Sequence, residues 1–119
     1  MSELSGEELQ ESLARWASGG HGAEAAVELL IESRYWLERR EFLDRALFEA
    51  EEGTGVSWFV AHELAETLVC SRGERFLLRL ACSLAEPGLT VPMSEIGSID
   101  GRNLARVQEA LRTARFGWG

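Results

Sequence analysis

The sequence predicts an all-α fold, a single compact, bundle-like domain of five to six helices covering residues 1–119. Three observations lead to this prediction. Apolar residues recur every three or four positions, as they do along one face of an amphipathic helix. Glycine and proline breaks divide the chain into segments of helix length, and no segment shows the apolar–polar alternation of a half-buried strand. Hydrophobic residues make up 45% of the chain, which is enough for a core without disulfides or metals.

Two helices are predicted in the first third of the chain. The first covers about residues 6–17, where Ser5 and Glu8 form a capping box ahead of an apolar stripe. A run rich in glycine ends this helix, and the second begins near Ala23. Three glutamates at four-residue spacing are predicted to lie on a solvated face of the second helix: Glu24, Glu28 and Glu32.

The middle of the chain predicts a third and a fourth helix. The second helix either continues past Arg40 or breaks near it, and we favour a break. The third helix then covers about residues 41–51, and Gly53 and Gly55 mark its end. The fourth covers about residues 58–69. Neither segment shows strand alternation, so we expect no sheet here.

Capping signals bound the last two helices. Ser71 and Glu74 form a second capping box that opens a helix over about residues 72–85. Asp100 is the predicted N-cap of a last helix over about residues 101–114. Residues 116–119 are predicted to be a flexible tail, unless Trp118 docks on the body of the protein. Four apolar residues mark the predicted buried side of the last helix: Leu104, Val107, Leu111 and Ala114.

The charge is strongly acidic and unevenly distributed. The net charge is −8, and the chain contains no lysine. Up to Val69 there are 15 acids and 5 arginines, whereas 5 acids and 7 arginines follow. Such a surface repels phosphates and can attract a basic partner. One functional hypothesis is therefore an acidic inhibitor that masks a nucleic-acid-binding site on a partner protein, provided that the acids of the first three helices form one continuous face.

The composition and the motifs also limit where the protein is expected to be located and which catalytic or metal sites it can contain. The first residues are acidic and no apolar run is long enough to cross a bilayer, which predicts a cytoplasmic protein without a membrane partner. Cys70 and Cys82 are predicted to be reduced, buried thiols. His62 and Glu63 match half of a zinc-protease motif, but Glu66 stands where the second histidine is needed. We therefore predict no enzyme, metal or cofactor.

An aromatic and arginine cluster is the leading candidate for an interaction site. Tyr35 and Trp36 lie at a predicted helix end beside Arg39 and Arg40. Tyrosine, tryptophan and arginine are the residues most often found at interface hot spots. The leading hypothesis is a non-catalytic helical module that binds another protein or self-associates.

The C-terminal third offers a second hypothesis, a DNA-binding regulator. Residues 93–115 match the spacing of a degenerate helix-turn-helix unit, in which two apolar residues, here Val107 and Leu111, anchor the recognition helix. The overall acidity opposes phosphate binding. The candidate DNA contacts are four polar side chains of the last helix: Arg102, Asn103, Arg106 and Arg112.

Several stretches resemble small helical proteins of high-GC actinobacteria and their phages. The residues that prompt this resemblance are residues 26–31, the pair Tyr35 and Trp36, residues 40–42, residues 74–81 and residues 101–105. We know of no function attached to such proteins. The resemblance therefore implies a helical fold and a cytoplasmic location.

Overall fold

The computed structural model describes residues 5–118, and within them it contains six α-helices, two 3-10 helices and one β-hairpin. The α-helices are α1 (Gly6–Ala17), α2 (His21–Ser33), α3 (Arg40–Ala46), α4 (Trp58–Thr67), α5 (Arg72–Ala85) and α6 (Gly101–Phe116). The 3-10 helices are Tyr35–Glu38 and Met93–Ser98, and the strands are β1 (Leu47–Ala50) and β2 (Gly53–Val56). The predicted mostly helical, compact fold is confirmed.

The core is built around α2, which packs against α1, α5 and α6. A run of apolar residues on α2 is buried almost completely: Ala25, Ala26, Val27, Leu29 and Leu30. Opposite them, α5 contributes Phe76 and Leu78, both 0% exposed. The contribution of α6 is smaller, since its fully buried apolar residues are Val107 and Ala110. Because alanine and valine are small, these two residues let the axes of α6 and α2 approach closely.

Both predicted capping boxes are present, and they explain why α1 and α5 begin where the sequence predicts. The Ser5 hydroxyl accepts a hydrogen bond from the Glu8 backbone N–H at 3.2 Å, and Glu8 accepts one from the Ser5 N–H at 3.0 Å. The same pair of bonds joins Ser71 and Glu74, at 3.1 and 2.9 Å. Each box satisfies N–H groups that the helix itself leaves unpaired, and a capping residue contributes about 1 kcal/mol.

A β-hairpin replaces the second half of the helix predicted over residues 41–51, so that prediction is wrong beyond Ala46. The strands are antiparallel, with Leu47 opposite Val56. The hairpin forms because β2 lies against α1: a Cβ on Gly53 would come within 2.3 Å of the Ser12 carbonyl oxygen. Gly53 also has a φ of 149°, a conformation that suits glycine. This docking between distant segments overrides the local helical periodicity.

The C-terminal residues dock on α2, so the predicted flexible tail is wrong for residues 116–118 and the alternative, in which Trp118 docks on the body, is the one observed. Gly119 lies outside the described residues. Gly117 ends α6 with a φ of 77° and donates its N–H to the Thr113 carbonyl at 2.7 Å. Trp118 donates its backbone N–H to Glu24 at 3.1 Å and its indole N–H to Glu28 at 2.9 Å. These donors require the two carboxylates to face the tail.

The acidic face predicted for α2 is consequently interrupted. Glu24 is only 5% exposed and also accepts a hydrogen bond from the Gly19 N–H, and Glu28 is half-buried. Only Glu32 of the three predicted surface acids is exposed. The acidic-inhibitor hypothesis needs one continuous face on the first three helices, and on α2 only Glu32 of these three acids is exposed to contribute to it.

The two cysteines differ in burial, and we expect them to differ in reactivity. Both are free thiols; Cys82 is buried, whereas Cys70 is half-buried. Burial raises the pKa of the Cys82 thiol to about 12, and alkylation requires the thiolate. Iodoacetamide at pH 8 is expected to label Cys70 in the folded protein and Cys82 only after denaturation, as followed by mass spectrometry. A Cys70→Ser variant should then stay unlabelled while folded, and rapid labelling of Cys82 in it would contradict this assignment.

Candidate functional site

Trp36, the centre of the predicted interaction cluster, is a core residue. Its side chain is 1% exposed, and its indole N–H donates to the Glu74 carbonyl at 2.9 Å. The ring lies 5.1 Å from Tyr35 in an edge-on arrangement and 5.7 Å from Phe42. The expectation that Trp36 presents a contact surface is therefore wrong, because the aromatic ring closes the gap between the first 3-10 helix, α3 and α5.

Arg39 and Tyr35 also make contacts at the end of the first 3-10 helix, beside Trp36. The Arg39 guanidinium donates to the Tyr35 hydroxyl at 3.0 Å and to the Val69 carbonyl, and it lies 5.6 Å from the Trp36 ring centroid. A hydrogen bond to the Glu41 carboxylate raises the pKa of Arg39. These contacts join the first 3-10 helix to the loop after α4. Arg40 is exposed and lies 3.9 Å from Asp44.

The four candidate DNA contacts are not brought together on one face. Arg102 and Arg106 line a groove beside α2, and Asn103 is half-buried and accepts a hydrogen bond from Arg106 at 2.9 Å. Arg112 is exposed and does not line that groove.

The segment before α6 also departs from a helix-turn-helix unit. Met93–Ser98 is a 3-10 helix without a buried residue, whereas the first helix of such a unit is an α-helix anchored in the core. Leu111, the second expected anchor, is 45% exposed. Val107 alone of the two expected anchors is buried, at 1% exposure. The segment therefore lacks the packing that would hold a recognition helix in the expected manner.

An exposed stripe on α6 corrects the predicted buried side of the last helix. Leu104 is 40% and Leu111 is 45% exposed, while Val107, Ala110 and Thr113 face the core. We define the α6 stripe as five residues spaced alternately by three and four positions, all of them exposed: Gly101, Leu104, Gln108, Leu111 and Arg115. This spacing places the five residues on one side of the helix, as in the seam of a coiled coil.

The ends of the α6 stripe carry opposite charges. Asp100, the N-cap, precedes the first stripe residue and accepts a hydrogen bond from the Asn103 N–H at 2.8 Å. Arg115 ends the stripe, and its guanidinium lies over the Phe116 ring at 4.9 Å from the centroid. Among residues 5–118, neither Asp100 nor Arg115 forms a salt bridge.

A groove with three arginines lies between α1, the end of α2 and the start of α6. We call it the arginine groove; its volume is about 400 Å³, and its lining consists of Gln10, Ile31, Glu32, Arg34, Arg102 and Arg106. Arg34 is the C-cap of α2 and has a φ of 64°, which is uncommon for a residue other than glycine. A second hollow of about 290 Å³ shares Gln10, Ile31 and Arg34 with it.

Comparisons with known proteins give no further guide. No protein-family model, curated protein or solved structure matches this chain. The resemblance to actinobacterial and phage proteins therefore stays a prediction.

The partial zinc-protease motif is accounted for by ordinary contacts. His62 Nε2 lies 3.0 Å from the Thr90 carbonyl oxygen. Glu66 accepts a hydrogen bond from Arg79, which lowers the pKa of Glu66. Within residues 5–118 no group of three or more histidine, cysteine, aspartate or glutamate residues could hold a metal ion. The helices in this part of the chain are also too short or too polar to cross a membrane.

Sequence reasoning missed Arg34 and the exposure of the α6 stripe. A non-glycine residue with positive φ leaves no local signal, because the conformation is imposed by the packing around it. The stripe did leave a signal, since α6 carries two apolar sets, Leu104 with Leu111 and Val107 with Ala110 and Ala114. The sequence alone does not say which set faces the core.

Proposed function

We propose that this chain is a non-catalytic helical interaction module that self-associates through the α6 stripe. The observation that carries the proposal is the exposure of Leu104 and Leu111 on one side of α6, between opposite charges at the two ends. Single exposed leucines are common on protein surfaces. Two leucines seven residues apart on one helix, within a heptad-like spacing, are typical of helix-to-helix contacts.

The charges favour a second copy as the occupant of the stripe. A two-fold contact requires a surface that is complementary to itself. If two α6 helices pair antiparallel about Val107 and Gln108, Leu104 of one copy lies beside Leu111 of the other. The same pairing sets Asp100 of one copy against Arg115 of the other. Antiparallel helix dipoles add to this attraction.

The contact is small, and we expect a reversible dimer. A helix of 16 residues is about 24 Å long. One such helix on each side buries less than the roughly 1,600 Å² of a standard stable interface. The dimer should therefore dissociate on dilution within the concentration range of ordinary solution measurements.

Leu104→Glu is expected to abolish self-association, because it places a carboxylate in the apolar part of the seam. Sedimentation velocity at a series of protein concentrations measures the effect as the loss of the concentration-dependent dimer. Ala105→Glu is the matched control, since Ala105 is exposed on α6 but lies outside the stripe. A wild-type chain that stays monomeric at every concentration would contradict the proposal, and so would an unchanged dimer in Leu104→Glu.

The antiparallel arrangement has its own test, which uses the charges at the ends of the stripe. Asp100→Asn keeps an N-capping side chain, and Arg115→Gln keeps a long polar one. Each variant is expected to weaken the dimer by a similar factor. Because the two groups form one interaction, the double variant should lose little more than either single variant. If the losses of dimer affinity in the two single variants add fully in the double variant, the antiparallel pairing is excluded.

A further inference from the structure

The arginine groove presents a concentration of positive charge on an acidic protein. Three of its six lining residues are arginines and one, Glu32, is acidic, whereas the whole chain has a net charge of −8. No ion pair within residues 5–118 involves Arg34 or Arg102. Arg106 is half-buried, and its one hydrogen bond in the described chain goes to the neutral Asn103 side chain. The groove therefore combines three guanidinium groups with a single carboxylate.

The backbone at Arg34 contributes to this arrangement. At the end of α2, a φ of 64° is a conformation that glycine adopts without strain and arginine does not. Arginine at this position thus opposes local backbone preference while lining both the groove and the adjoining hollow. Backbone strain of this kind is concentrated at functional sites.

The adjoining hollow has the opposite charge balance. Its lining includes Glu7 and Glu38, together with the apolar side chains of Leu9 and Leu37. An extended polyanion such as duplex DNA would meet these carboxylates beside the arginines, which is unfavourable. A small molecule with one anionic end and a neutral, hydroxyl-bearing end would instead meet a partner at each end.

We propose that the arginine groove binds the phosphoryl group of a small phosphorylated molecule, whose hydroxyl groups reach the carboxylates of the adjoining hollow. A carboxylate is satisfied by one bidentate arginine, whereas a phosphoryl group has three outer oxygens and nearly two negative charges that can engage three guanidinium groups. Arg34, Arg102 and Arg106 surround the phosphoryl end. Gln10 is placed between the two hollows and can donate to the ligand from its amide.

This site is independent of the proposed self-association. Arg102 lies two residues before Leu104, and Arg106 lies two residues after it. Two residues correspond to a rotation of about 200° around the axis of an α-helix, so both arginines lie on the side of α6 opposite Leu104. They therefore lie on the flank of α6 that faces α1 and the end of α2, away from the stripe. Loss of ligand binding and loss of the dimer can be observed separately.

The test is a titration followed by two-dimensional NMR of backbone amides and arginine Nε–H groups, at pH 7.5 and constant ionic strength. Inorganic phosphate and glycerol phosphate are expected to shift the signals of Arg34, Arg102 and Arg106, with glycerol phosphate binding more tightly because of its hydroxyls. Acetate is expected to cause no such shifts. Equal effects of acetate and phosphate would overturn the assignment to a phosphoryl group, and equal affinities of the two phosphates would overturn the role of the adjoining hollow.

Variants identify the groove as the site. Arg34→Gly removes the guanidinium while relieving the positive φ, so the fold is retained, and Arg102→Ala removes a second one. Each is expected to weaken glycerol phosphate binding roughly ten-fold or more, since a hydrogen bond to a charged group is lost. Arg112→Ala is the matched control, because Arg112 is exposed on the same helix outside the groove.

Equal losses of glycerol phosphate affinity in Arg112→Ala and Arg102→Ala, or no binding by the wild-type chain, would overturn the proposal. Duplex DNA that displaces glycerol phosphate would overturn it in favour of a nucleic-acid ligand.

Discussion

Trp36→Ala is expected to destabilise the protein by about 3–5 kcal/mol, the range for removing a large aromatic side chain from a core. Trp36 is 1% exposed and packs against Tyr35 and Phe42, so truncation leaves a cavity at the junction of three elements. It also removes the hydrogen bond from the indole N–H to the Glu74 carbonyl. The measurement is the free energy of unfolding from urea denaturation followed by circular dichroism. A loss of this size amounts to a large part of the stability of a typical domain.

Phe59→Ala provides the surface control for this prediction. Phe59 is an aromatic residue on α4 that is 62% exposed, and its removal should change the free energy of unfolding by no more than about 0.5 kcal/mol. If Trp36→Ala were as mild as Phe59→Ala, Trp36 could not be a core residue, and its assignment as a surface contact would return. Trp36→Phe is expected to fall between the two, because it keeps a ring but loses the indole N–H.

Gly22→Ala is the second substitution with a large expected effect. Gly22 lies in the first turn of α2, where a Cβ would come within 2.3 Å of the Leu84 carbonyl oxygen and 3.4 Å of its carbon. The obstacle is backbone of α5, which cannot rotate away as a side chain can. The two helices must separate, and overpacking of this kind costs about 1–3 kcal/mol, which urea denaturation measures directly.

The matched control is Gly6→Ala in the first turn of α1. Among residues 5–118, and apart from its chain neighbours and the backbone of its own helix, no atom lies within 4 Å of a Cβ built on Gly6, so the added methyl group meets no packed neighbour there. Alanine is favoured over glycine in a helix by up to about 1 kcal/mol, and Gly6→Ala should be neutral or stabilising. If both glycine variants behaved alike, the close approach of α2 and α5 would not be what requires glycine at position 22.

Local signals in the sequence were sufficient for α1 and α5. Each has a serine N-cap and a glutamate three residues later, and these side chains act within a single turn of the chain. The predicted bounds of residues 6–17 and 72–85 agree with the observed helices for this reason. Asp100 likewise opens α6, because its carboxylate accepts from the Asn103 N–H whatever the rest of the chain does.

The candidate sites were less predictable, because they depend on which surfaces pack. Trp36 has the composition of a hot-spot residue, yet tryptophan suits a core equally well, and only the position of α5 decides between the two. The sequence indicated Arg102 and Arg106 as candidate contacts, although for DNA. Their partner Arg34 was not indicated, since it reaches the groove only through the packing of α1, α2 and α6.

The sequence by itself determined that this chain is mostly helical, where α1 and α5 lie, and that the part up to Val69 is acidic, because periodicity, caps and charge are properties of neighbouring residues. The tertiary structure alone decided that residues 47–56 form a hairpin, that Glu24 faces the tail, and that Leu104 and Leu111 stay exposed. In each of these cases the choice depends on a segment distant in sequence, α1 for the hairpin and α2 for the tail and for α6. Free energy from packing such segments together exceeds the small local preferences that a sequence pattern records.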